Sequence, residues 1–141
     1  MKRTQTFANG SVANAVLNIQ EHLHPLVIPK FQIVLQRVRQ YLSGSNLLLS
    51  APPSEEWITV KLHPRKAVLA FRQDRNGNLK FVIDTYRTHD ITDPLELFDP
   101  PPSGKPNKTH VGIISSVTSP GDLGYYIDKM IEGMQIFDSL A

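Results

Sequence analysis

WITVKLHPRKAVLAFRQDRNGNLKFVIDTYRTHD, residues Trp57 to Asp90, is the stretch that decides the fold. Ile58, Val60 and Leu62 alternate with Trp57, Thr59 and Lys61. After the turn His63-Pro64-Arg65-Lys66 the alternation resumes, with Ala67, Leu69 and Phe71 set against Val68, Ala70 and Arg72. A period of two is that of a strand whose successive side chains point to opposite faces. DRNGN, Asp74 to Asn78, supplies the next turn, because Asn and Gly accept the positive φ that a tight hairpin demands. A third strand, Leu79 to Arg87, then puts Phe81 and Ile83 on one side and Val82 and Tyr86 on the other. The pattern predicts an antiparallel β-meander.

Working towards the amino terminus, Leu47 to Leu49 reads as a short strand stopped by Pro52 and Pro53, which cannot donate to a ladder. Pro29 stands well as the first residue of a helix with Phe31, Val34, Leu35, Val38, Tyr41 and Leu42 on one stripe, ended by Gly44. Ser11 caps a shorter helix carrying Val12, Val16, Ile19 and Leu23, and residues 1 to 10 read as a flexible arm.

Towards the carboxy terminus, acids and prolines break the pattern from Ile91 to Asn107, and the prolines of 94 to 107 predict an extended, unpaired loop. Val111 to Val117 restores a strand. Ser119, Pro120 and Asp122 then sign the start of an amphipathic helix with Leu123, Ile127, Met130, Ile131 and Met134 along one face. The expected fold is α+β in a single domain, 1 to 141: a meander of about four strands, with the amino-terminal helices and the carboxy-terminal helix packed on one face.

A chain of 141 residues without cysteine has no disulfide framework, no thiolate metal site and no Cys nucleophile, which suits a reducing compartment. No apolar run approaches the roughly 18 residues of a membrane span, and no signal-peptide run follows Lys2 and Arg3. The expectation is a soluble, cytoplasmic chain with no membrane partner. The net charge of +2 is unevenly spread: residues 30 to 87 hold ten Lys and Arg against four acids, whereas 88 to 141 hold three against eight. Such asymmetry marks either a polyanion-binding face or two surfaces that neutralise each other.

The chemistry-bearing residues concentrate in the meander. His63, Arg65, Lys66, Arg72, Lys80 and Arg87, with Arg75 beside them, offer fixed positive charge and the planar Arg fork that matches phosphate oxygens, and Trp57 and Tyr86 offer stacking surfaces for bases. Their union on one face depends on strand register. His89, Asp90, Asp93 and Glu96 are types that hold Zn²⁺ or Mn²⁺, but match no defined metal motif and read equally as a polar loop turning at Asp93-Pro94, with Glu96 opening a helical half-turn. There is no Gly-rich phosphate loop, nucleophile elbow or dinucleotide fingerprint, so no cofactor and no metal is expected.

Two segments carry a resemblance. HPRKAVLAF (63 to 71) and THVGIISSVTSPGDLGYYIDKMIEGMQIF (109 to 137) are similar to the small domain of unknown function labelled a predicted transport protein, which occurs alone or fused to restriction-nuclease-like modules. The resemblance implies the α+β fold and a nucleic-acid-associated biology, and brings no catalytic residues.

Taken together, these features point first to a small non-enzymatic binding module whose basic sheet surface engages an anionic partner, nucleic acid or an acidic protein segment. A metal-independent ribonuclease is the first alternative, with His63, His89 or His110 as acid and base and Arg65, Lys66 or Arg87 at the phosphate. An oligomerising adaptor, its acidic helix meeting the basic sheet of another copy, is the second.

Overall fold

The computed structural model describes residues 9–63, 66–84, 91–99 and 109–140, without the side chains of His63, Lys66 and Leu140. Its elements run α1 (Val12–His22), α2 (Ile28–Leu42), β1 (Leu48–Ser50), β2 (Ile58–His63), β3 (Lys66–Gln73), β4 (Leu79–Asp84), β5 (Thr109–Ile114) and α3 (Pro120–Leu140). The strands form one antiparallel sheet in chain order, β1-β2-β3-β4-β5. The class is α+β.

Helix starts follow from their caps. Ser11 Oγ accepts the Asn14 amide at 3.1 Å, and Ser119 Oγ accepts the Asp122 amide at 3.1 Å, each meeting one of the amides that a first turn leaves unpaired. Pro29 sits in the first turn of α2, where its missing N–H costs nothing. In the β3–β4 turn Gly77 has φ +78°, and Asp74 Oδ1 accepts the amides of Asn76 (2.8 Å) and Asn78 (2.9 Å). The Gly77 carbonyl also accepts the His24 amide at 2.8 Å, which docks this hairpin end on the α1–α2 connection.

Strand alternation sorts the sheet into two faces. Ile58, Val60, Leu69, Phe71, Leu79, Phe81, Ile83 and Ile114 share one, and all are sealed from water. Against it lie α1, on β2 and β3, and α3, on β3 and β4, while α2 packs on α3. Phe31, Val34 and Val38 of α2 and Ile127, Met130 and Met134 of α3 close the core. Polar ties fasten this layer. Lys30 Nζ donates to the carbonyls of Ser115 (3.0 Å), Ser116 (3.0 Å) and Thr118 (2.7 Å), and Asp138 accepts the hydroxyls of Tyr41 and Ser45.

The structure differs from the sequence reading in three places. The last strand ends at Ile114, because Ser115 turns its amide to Thr118 Oγ1 (2.8 Å) and the chain closes on Lys30. The stretch after Ile91 is not all unpaired: Asp99 donates its amide to Val111 O at 2.8 Å, forming a bridge on the outer edge of β5. The cause is Phe98, buried edge-on between Phe81 and Tyr126. Glu96 opens no helical half-turn, since its φ is +54°. The arm up to Ala8, Tyr86, Arg87, His89, Asp90 and residues 100–108 of the proline-rich segment lie outside the described residues. Among the described residues no helix is long and apolar enough to cross a membrane.

Candidate anion-binding surface

Among the described residues no helix packs on the second face of the sheet. Its side chains form transverse rows, since neighbouring strands lie about 4.8 Å apart and directly paired residues point the same way. One row runs Ser50, Thr59, Ala70, Val82 and Val111. The next, nearer the β3–β4 turn, runs Arg72, Lys80 and Ile113, with Trp57 one step beyond the Ile58–Phe71 pair and so beside Arg72. Thr59 is closed to solvent, so the open part of this face lies towards the turn. There Arg72 is exposed and Trp57, Ala70, Lys80, Val82, Val111 and Ile113 are half-buried.

Sequence alternation allows Trp57 either face, and the register settles it. The indole stands outside the core, with the Arg72 guanidinium 5.9 Å from its ring centroid. That contact holds a flexible cation over an aromatic face and fixes the direction of both. Arg72, Gln73, Asp74, Arg75 and Lys80 line an open depression of about 480 Å³. Asp74 is the one acid in it, and its oxygens are already engaged by the amides of Asn76 and Asn78 and by Asn78 Nδ2. Among the described residues no carboxylate forms an ion pair with Arg72, Arg75 or Lys80; the described ion pair is Lys129–Glu132 at 3.2 Å, within α3. The depression is therefore a local excess of fixed positive charge.

Two acids of the carboxy-terminal half, Asp93 and Asp138, are held elsewhere. Burial raises Asp93, but the Tyr125 hydroxyl, the amides of Phe98 and Leu97 and the nearby His110 outweigh it and keep its carboxyl below the ordinary value. Burial likewise raises Asp138, and hydrogen bonds from Tyr41, Ser45 and the Asn46 amide overcome it. Both carboxylates fasten the helical layer rather than neutralise the meander.

Of the six expected basic residues the structure brings two together, Arg72 and Lys80 as direct cross-strand partners. The backbones of His63 and Lys66 pair at the other end of β3, and Lys66 lies about 20 Å along the strand from Arg72. The side chains of His63 and Lys66, and all of Arg65 and Arg87, lie outside the described residues. Arg75 joins the pair from within the turn, a position that its place in DRNGN foreshadows. The described histidine side chains stand apart from the row: His22 on the Asn18 carbonyl, His24 on the Leu26 amide and His110 edge-on to Phe98. Of the residues considered for a metal, Asp93 serves as a local cap, and no cluster of metal-ligating side chains forms among the described residues.

Compared with family models, curated proteins and solved structures, the chain matches none.

Proposed function

We propose that the chain is a non-enzymatic binding module that engages an anionic polymer through the helix-free face of its sheet, with Arg72, Lys80 and Arg75 as the contact cations. The observation that carries this reading is the cross-strand pair Arg72–Lys80. Like charges directly opposite each other in a sheet cost stability, on the order of 0.2–1 kcal/mol, and an anion bound between them reverses that cost. Arg72 contributes a planar fork for two oxygens at once, Lys80 a point charge, and the Trp57 contact limits the freedom that Arg72 loses on binding.

Heparin, a polyanion without bases, tests the charge reading alone. Retention on immobilised heparin at low salt, falling steeply as salt rises, is the expected behaviour of a cation cluster that displaces counterions. Arg72→Ala with Lys80→Ala should abolish most of it, while alanine at Arg39, in the depression beside β1, leaves it unchanged. No retention by the native chain, or retention indifferent to the double substitution, removes the proposal.

A further inference from the structure

We infer that the anionic polymer is single-stranded nucleic acid, with a base stacked at Trp57 and the adjoining phosphates on Arg72 and Lys80; this rests on the reading of the face given above. The row supplies more than charge. An indole stands at one end, two cations follow on the next two strands, and Ile113 closes the other end, with steps of about 4.8 Å between neighbours. The row beside it is uncharged at Ala70, Val82 and Val111, all half-buried. One planar apolar side chain, aliphatic surface and paired cations therefore adjoin within a few ångströms, and this matches a ligand whose anionic backbone and flat apolar rings are both exposed.

A single strand has that chemistry. In a duplex the base faces are stacked inside, and the major groove admits a protruding helix or two-stranded ribbon, whereas Arg72 and Lys80 lie on interior strands of the sheet and line a depression. An acidic peptide satisfies the cations but brings no flat ring to stack on the indole. Stacking on an aromatic side chain tolerates every base, so the expected recognition is of single-strandedness with little sequence preference.

The chain has one tryptophan and four tyrosines, so emission excited at the red edge of the absorption band, where tyrosine does not absorb, reports Trp57 alone. Titration with a short uridine oligomer at low salt should change that emission saturably, while an RNA duplex of the same length and polyglutamate should bind more weakly and leave it unmoved. Binding of a labelled oligomer followed by anisotropy should weaken about tenfold in Trp57→Ala and be largely restored in Trp57→Phe, and the oligomer loss in Trp57→Ala should clearly exceed its loss of heparin retention. Equal affinity for duplex, for polyglutamate or for the single strand, an unmoved emission, or a Trp57→Ala loss equal for oligomer and heparin overturns the inference while the charge reading stands. Failure of the native chain on heparin takes both away. Matching thermal melts of Trp57→Phe and the native chain show that an affinity change is not a folding defect.

Discussion

Arg72 of β3 and Lys80 of β4 stand directly opposite each other on the face that no described helix covers. Two like charges in that position are tolerated by the fold rather than required by it. Lys80→Glu should convert the repulsion into a cross-strand ion pair and stabilise the domain by about 0.5 kcal/mol while it loses heparin binding. Thermal melts at low salt would register the gain, and added salt should shrink it. A lower melting temperature for Lys80→Glu would mean that the pair carries no strain.

Lys30 spends its ammonium on three carbonyls, those of Ser115, Ser116 and Thr118, and so ties α2 to the β5–α3 turn. Lys30→Met keeps most of the stem and removes the charge. The three carbonyls then lose a charged donor, and the expected cost is about 2 kcal/mol in a urea titration. Heparin retention should not change, because Lys30 lies in the helical layer.

Asp93 and Asp138 both sit below the ordinary carboxyl value of 3.8 in the folded chain. A carboxyl with a depressed folded pKa stabilises the fold fully above its unfolded value and loses that contribution as pH falls through the folded one. Urea midpoints should therefore decline on acidification below about pH 4. Asp138→Asn, which removes the charged acceptor of Tyr41 and Ser45, should be less stable at neutral pH and show a shallower acid decline. Parallel profiles for the two chains would show that Asp138 contributes no acid sensitivity.

Gly112 lies where β5 passes beneath an aromatic cluster. A Cβ there would collide with Phe81 Cζ and stand 2.7 Å from Phe81 Cε1 and 3.1 Å from Tyr126 Cε1, and both rings are buried. Gly112→Ala should cost about 1–3 kcal/mol, the usual range for overpacking a filled core. The urea midpoint measures it, and an unchanged midpoint would show that the rings yield freely.

What the sequence makes legible is local. Ser11, Pro29, Ser119 and Pro120 mark helix starts because caps are chemical requirements of the first turn, and DRNGN marks its hairpin because Gly77 must take a positive φ. The site was half legible. Arg72 and Lys80 are visible as bases on strands, but their adjacency is a matter of register, and that is set by the whole core. Trp57 alternates correctly for either face, and only the pairing of Ile58 with Phe71 puts it outside. Phe98 and Asp99 were hidden by the prolines around them, since a break in periodicity says nothing of a side chain that reaches back into the core. Lys30 gave no signal, because a lysine at a helix start looks the same whether it meets water or three carbonyls.

Anionic polymer is expected to meet the row of Trp57, Arg72 and Lys80. The most direct measurement is a map of amide and indole N–H chemical-shift changes as a short heparin oligosaccharide is added at low salt. The account predicts the largest changes at Arg72, Gln73, Lys80 and the Trp57 indole, fading towards α1, α2 and α3. Changes centred on the helical layer, or none at a concentration that saturates binding, would contradict it.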